Sequence, residues 1–244
     1  MIREERLDAG VVKVIIDNPA RRNALDLEAF GALAALWPHL GSDRTVRAVI
    51  VTGQGDQAFC AGADLTISDS ERSIVSDLIY DCCETMITRP GPVISVITGA
   101  AVGGGAQLAA ASDLRIAGPG ARLRWIGPPG TGHGEGPGPG LAVGAWLLPD
   151  LTGRGAALDL VLTGRWVQAA EALDLGLVNR VTDDPERYAE QIAADLAARG
   201  AAPGVKAVMA AGGLLDRLRA EREVNRAAWA RVNSVGPRLP GLQR

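Results

Sequence analysis

Residues 93–116 read VISVITGAAVGGGAQLAAASDLRI. Val93, Ile94, Val96 and Ile97 make a β-branched, uncharged run suited to a strand buried on both faces. Thr98, Gly99 and the triple glycine Gly103-Gly104-Gly105 break that run, and residues 106–111 are small, apolar and helix-forming. The chain therefore reads strand, glycine turn, helix. Such a turn leaves the first N–H groups of the helix without intrahelical acceptors, at the positive end of its dipole. Glycines there let a ligand oxygen come close to those donors; the other reading is that they only let the helix pack tightly.

Working upstream, AVIVT (48–52) is a second buried-strand pattern, followed by Gly53-Gln54-Gly55-Asp56 and FCAGADL (59–65). Each strand thus ends in a small-residue loop able to present a backbone N–H. Two convergent donors are what an oxyanion hole requires, because charge developing on a carbonyl oxygen is stabilised by fixed dipoles aimed at it.

FCAGADL followed by VISVITGAAVGGGAQLAAASDLRIA resembles the paired signature of the crotonase family, the enoyl-CoA hydratase/isomerase superfamily. NPARRNALD (18–26), LTGR (162–165) and EALDLGLVNRV (171–181) resemble the same family in the same order, so the resemblance is close over residues 12–181. It implies an α/β fold, a crotonase-like spiral of ββα units over residues 1–184 with a C-terminal helical oligomerisation region over 185–244. A homotrimer or a dimer of trimers is expected. The implied substrate is an acyl-CoA thioester, with coenzyme A as part of the substrate and no separate cofactor. The family's oxyanion-hole donors carry over onto the N–H groups of Ala63 and Gly104. Ala61, Gly62, Asp64 and Leu65 belong to the same substrate-binding loop. In the family the loop at Arg21-Arg22 lies along the nucleotide of coenzyme A. Arg22 is where a planar guanidinium fork would meet phosphate, and Ala24 is a backbone contact near the adenine. The alternative for Arg21 and Arg22 is a solvated pair of charges.

In the family's hydratases a Glu follows the triple glycine by two positions, where this chain has Gln107, and a second Glu falls where it has Gly127. Adding water across an unsaturated thioester needs one group to activate the water and one to deliver a proton. A glutamine amide can orient water but does not take its proton near neutral pH. Losing such proton transfer costs roughly 10²- to 10⁴-fold in rate. The Gly/Pro run at 127–140 contains His133 and Glu135 as its titratable side chains. Three readings of it stand side by side: a solvent-facing loop without chemistry, a replacement acid/base at His133 or Glu135, and a lid that excludes water. The expectation is an enzyme acting through a thioester enolate, the alternative an acyl-CoA-binding protein that has lost hydratase catalysis.

Composition agrees with this class. The chain has 244 residues, 47% of them hydrophobic, enough for a sizeable core. A net charge of −3 gives no basic face for nucleic acid. Cys60, Cys82 and Cys83 form neither a metal-binding spacing nor a disulfide framework, so no metal and a reducing compartment are expected. No apolar run approaches the roughly 20 residues of a membrane span. The charged start MIREERLDAG is unlike a signal peptide, so a cytoplasmic location is expected.

The spacing predicts a helix capped by Asp26, with Leu27, Phe30, Leu33, Ala34 and Leu36 on one face, ended or bent by Pro38 and followed by His39 at the surface. Residues 74–86 predict a helix beside the acyl pocket, in which Cys82 and Met86 are core or acyl contacts. Asp113 reads as scaffold. An apolar helix over 141–151 is expected to break at Pro149, with another over 154–162. Trp125, Trp146 and Trp166 suit core or interface positions, with an acyl-pocket role open for Trp125. Beyond Pro185 the pattern is helical. Lys206 is either a phosphate contact across a subunit interface or a snorkelling surface residue. Arg217, Arg219, Arg222, Arg226 and Arg231, interleaved with Glu221 and Glu223, read as a solvated face.

Overall fold

Strands that are apolar at every position need cover on both sides, and the chain supplies it by repeating one unit. The computed structural model describes residues 1–126, 144–200 and 203–234. An antiparallel hairpin of β1 (Ile2–Arg6) and β2 (Val11–Ile16) leads into α1 (Leu27–Ser42). The ββα unit then recurs: β3 (Ala48–Gly53), β4 (Ala58–Cys60) and α2 (Asp69–Thr88), followed by β5 (Val93–Ile97), β6 (Ala100–Val102) and α3 (Gly104–Ala111). A third pair, β7 (Leu114–Ala117) and β8 (Arg122–Arg124), is followed by α4 (Leu148–Thr163), β9 (Val167–Gln168), α5 (Ala169–Asp174) and β10 (Arg180–Val181). Helices α6 (Pro185–Arg199), α7 (Pro203–Ala210) and α8 (Leu214–Ser234) complete the order.

The β1–β2 hairpin lies wholly in a six-stranded sheet, β1-β2-β3-β5-β7-β10, and each later pair, β3–β4, β5–β6 and β7–β8, gives its first strand to that sheet and its second to a four-stranded sheet, β4-β6-β8-β9. The repeats pair in parallel, with Val49 opposite Val93 in the larger sheet and Ala58 opposite Ala100 in the smaller. This is the expected α/β spiral. Alternation along β3 explains the double cover: Val49 and Val51 face a core shared with Phe30, Leu33 and Trp37 of α1 and Ile79 and Met86 of α2, whereas Ala48 and Ile50 face α6. Helix α6, the first element past residue 184, lies on this outer face through Ala189, Ala193 and Ala197, a stripe at helical spacing small enough for close contact.

Capping fixes where α1 and α2 begin. Asp26 accepts the Ala29 N–H at 2.8 Å, and Ser68 with Glu71 forms a reciprocal capping box. Pro38 does not end α1, which runs on to Ser42 with His39 in its last turn. Pro38 is exposed, so the hydrogen bond it removes lies on the solvent side, where water can satisfy the carbonyl. Pro149 likewise does not break a helix: it sits in the first turn of α4, where its missing N–H costs nothing, and the kink falls at Gly153.

One expectation for the C-terminal part is overturned and a second holds only in part. Lys206 is neither a snorkelling surface residue nor placed to reach a distant phosphate. Its Nζ pairs with Asp113 Oδ2 at 2.8 Å and donates to the Met86 carbonyl, also at 2.8 Å, because α7 folds back against the end of α2. Of the α8 arginines expected on a solvated face, Arg219, Arg226 and Arg231 are exposed, but Arg222 is largely covered. Arg222 forks onto both Asp77 oxygens, at 2.8 and 2.6 Å, and reaches Asp81, while Arg219 pairs with Glu84, so α8 is clamped along α2.

Candidate functional site

The position of the site follows from the smaller sheet. β4 and β6 are parallel neighbours, so the loops at their carboxyl ends, 61–65 and 103–104, leave the sheet side by side. They are in contact: a Cβ placed on Gly62 would lie 2.7 Å from the Val102 carbonyl oxygen and 3.4 Å from Gly104 N. Gly62 also has φ +85°, so the residue is doubly constrained to glycine. At Gly105 a Cβ would meet the Cys60 carbonyl at 2.2 Å. The packing reading of the triple glycine holds at Gly105, which lets α3 seat against β4, while Gly104 stands at the helix start beside the Gly62 loop.

A cavity of about 190 Å³ opens against these loops. Ala61, Gly62, Ala63, Val102, Gly103 and Gly104 form one wall, with Leu65 beside them. Phe30 of α1, Val75 and Ile79 of α2 and Trp229 of α8 supply an apolar wall, so the space suits a hydrocarbon chain. Gln107, Ser76, Arg72 and Asn225 bring polar side chains to it. Among the described residues neither the Ala63 N–H nor the Gly104 N–H has an acceptor. The Leu25 N–H donates to the Gly62 carbonyl and the Leu25 carbonyl accepts from Asp64 N, so strand-like bonds on both sides hold the Ala63 peptide in place.

Asp64 organises this loop. Its carboxylate accepts from Thr66 N and Thr66 Oγ1, both at 2.8 Å, and from Arg21 Nη1 at 2.6 Å. The backbone N–H of Thr66 above all, with the Thr66 hydroxyl and Arg21, holds the Asp64 carboxyl below the usual range. Asp64 is buried behind the loop, outside the cavity lining. Arg21, not Arg22, is thus the arginine that grips the loop; Arg22 is exposed, with φ +54°. Ala24 is buried, donates its N–H to the Arg21 carbonyl and accepts from Asn18 Nδ2.

Gln107 is placed as its motif implies, buried and on the cavity wall in the second turn of α3. Cys82 and Met86 are fully buried in the core and outside the cavity lining, as is Trp125. The guanidinium groups of Arg122 and Arg124 lie over the Trp166 ring, 4.7 and 5.5 Å from its centroid. Burial pushes the Cys60 thiol up to about 12, so it is inert as a nucleophile near neutrality. Gly127, His133 and Glu135 lie outside the described residues.

Sequence reasoning missed Glu221. It is buried, 6% exposed, and its carboxylate accepts from Tyr80 Oη, Gly144 N and Trp146 N. Burial pushes this carboxyl up to about 7 despite those donors. The signal was present: Leu218, Glu221, Asn225, Ala228 and Trp229 are all buried and fall on one face of α8, so Glu221 and Asn225 lie within the apolar stripe.

The chain matches the family model Enoyl-CoA hydratase/isomerase over residues 6–235. Bacillus subtilis YngF is 39% identical over 193 residues, spanning 77% of this chain and 72% of that one. The short-chain-enoyl-CoA hydratase of Clostridium acetobutylicum is 35% identical over 186 residues, spanning 73% of this chain and 68% of that one. Among solved structures, the enoyl-CoA hydratase of Bacillus anthracis superposes with a TM-score of 0.77 at 32% identity, covering 99% of this chain and 94% of that one.

Proposed function

Because this chain belongs to the enoyl-CoA hydratase/isomerase family of enzymes, we propose that its cavity takes the acyl part of a coenzyme A thioester and that the Ala63 and Gly104 amides share the thioester oxygen. One observation carries this reading: the two N–H groups, free of described acceptors, belong to abutting loops at the ends of paired strands and line one cavity. Donors fixed in that way cost no reorganisation when charge moves onto the oxygen. Polarising the carbonyl makes the β-carbon of an unsaturated thioester electrophilic and the α-carbon acidic. Hydration and double-bond migration both pass through the enolate that results.

Gln107, on the same wall, orients a water or the acyl group by hydrogen bonds; it does not accept a proton near neutral pH. Leu65, half exposed beside the loop, flanks the substrate where the acyl part gives way to coenzyme A. The coenzyme A portion runs along residues 18–26, with the exposed Arg22 guanidinium toward phosphate and the Ala24 backbone near the adenine. The Leu25–Ala63 bridge ties that loop to the oxyanion loop. The exposed Val205, Val208 and Met209 of α7 offer apolar surface for the subunit contacts of a homotrimer or a dimer of trimers.

The test is incubation with crotonyl-CoA and longer enoyl-CoAs, following the absorbance of the conjugated thioester. Loss of absorbance with at least one of them is expected. Calorimetric binding without turnover of any of them contradicts the enzymatic reading, and no binding contradicts the site.

A further inference from the structure

A buried carboxylate without a cation is costly, and Glu221 is such a group among the described residues. The neighbouring arginines of α8 are committed elsewhere: Arg217 to Asp150, Arg219 to Glu84, Arg222 to Asp77 and Asp81, and Arg226 to Asp77. Among the described residues the titratable groups facing Glu221 are Tyr80 and Cys83 of α2, and neither supplies positive charge. Arg217, one turn before Glu221 on the same helix, also donates to the Trp146 carbonyl. What Glu221 holds explains its presence better than its contribution to stability does.

One set of its contacts leads to Gln107. Oε1 receives Gly144 N at 2.9 Å and Oε2 receives Trp146 N at 2.8 Å. Gly144 lies directly over Gln107: a Cβ there would come 3.3 Å from Gln107 Cγ and 3.1 Å from Trp125 Nε1. The Trp146 indole N–H points to Gln107 Oε1 at 3.5 Å, the outer limit of a hydrogen bond. The other contact leads to Asn225. Tyr80 Oη donates to Glu221 at 2.8 Å and accepts from Asn225 Nδ2. Gln107 and Asn225 both stand on the cavity wall, so the chain Gln107–Trp146–Glu221–Tyr80–Asn225 begins and ends there.

We propose that Glu221 is a positioning residue for the two side-chain amides of the cavity, holding Gln107 through the Gly144–Trp146 turn and Asn225 through Tyr80. It touches no substrate. Its functional consequence rests on the acyl-CoA reading above. The ionised carboxylate accepts from all its donors; protonation makes one oxygen a donor, weakens it as an acceptor and loosens part of the Gly144–Trp146 turn. The raised value of this carboxyl places that change near neutrality. The amides are therefore held in place above that pH and loosen as it falls.

The experiment uses the full chain as wild type, Glu221→Gln and Tyr80→Phe, with crotonyl-CoA as probe. Turnover and calorimetric binding are measured from about pH 5.5 to 9, across the ordinary and the shifted carboxyl range. Nitrogen-15 spectra of the Trp146 indole and the Gln107 amide are recorded over the same range. The expected result is a wild-type kcat that falls on the acid side with a midpoint near 7, with the two resonances titrating together. Glu221→Gln should lower kcat about tenfold at pH 8, change KM less than about twofold, and abolish both the acid limb and the titration. Tyr80→Phe should lower kcat but keep the limb. Resonances that do not titrate in the wild type, or a Glu221→Gln enzyme with wild-type kcat and limb, overturn the proposal. Should the wild type fail to bind crotonyl-CoA, the acyl-CoA reading falls, while the spectra still decide the role of Glu221. Should Glu221→Gln fail to fold, the wild-type titration and Tyr80→Phe decide it.

Discussion

Arg21 Nη1 lies 2.6 Å from Asp64 Oδ2, which ties the loop before α1 to the loop that carries Ala63. The two partners differ in burial: the Asp64 side chain is 10% exposed and that of Arg21 54%. Most of the stabilisation therefore comes from the Thr66 donors and less from the solvent-screened ion pair. Asp64→Ala should cost about 1–3 kcal/mol by removing the charge-assisted hydrogen bonds that the buried Asp64 carboxylate accepts from Thr66. Arg21→Ala should cost no more than about 1 kcal/mol. Urea unfolding of both variants checks the order. Because the folded carboxyl is held below its usual value, its contribution is present above about pH 4 and is lost as pH falls further.

At Gly62 the backbone makes the prediction. Gly62→Ala must place a Cβ 2.7 Å from the Val102 oxygen, at φ +85°, so the two loops must move apart. A cost of roughly 1–3 kcal/mol in stability is expected for the strained conformation. Turnover should fall by about 10²-fold or more, because a shift of about 1 Å misplaces both donors. Thermal melting together with crotonyl-CoA kinetics tests this: a folded variant with wild-type kcat would mean the loops need not touch.

Lys206 and Asp113 make a different kind of contact, joining α7 to the turn before β7. Burial lowers the Lys206 ammonium below its ordinary value even with Asp113 beside it, so the charge is held at a cost. Removing Asp113 leaves that charge unpaired. Asp113→Ala should destabilise by about 3 kcal/mol, and Lys206→Met, which removes the charge and keeps the stem, by less. Hydrogen exchange should rise in residues 203–210 in both variants.

Gln107 offers a gain-of-function test. Gln107→Glu keeps an oxygen for the Trp146 indole and adds a group that can take a proton from water. Hydration of crotonyl-CoA should rise by about 10²-fold, with a new acid limb in kcat. No increase would mean that proton transfer does not limit this enzyme.

Much of this architecture was legible in the sequence because it is local. The runs around Val49 and Val93 announce fully buried strands, and the glycine loops after β4 and β6 announce the wall of the cavity. Gln107 follows from its distance to the triple glycine. The rest depends on partners far along the chain. Lys206 reads as a surface lysine until α7 is seen to close on Asp113. Glu221 sits among arginines in the sequence, and its charge masks the apolar stripe from Leu218 to Trp229 that buries it. Asp64 matches a substrate-loop motif, yet its side chain turns away to Thr66 and Arg21.

The central claim concerns one oxygen and two amides. A crystal structure with an acyl-CoA bound tests it most directly. The thioester oxygen is predicted within about 2.7–3.1 Å of both Ala63 N and Gly104 N. An oxygen bound elsewhere in the cavity, or either amide engaged by another protein group, would contradict it.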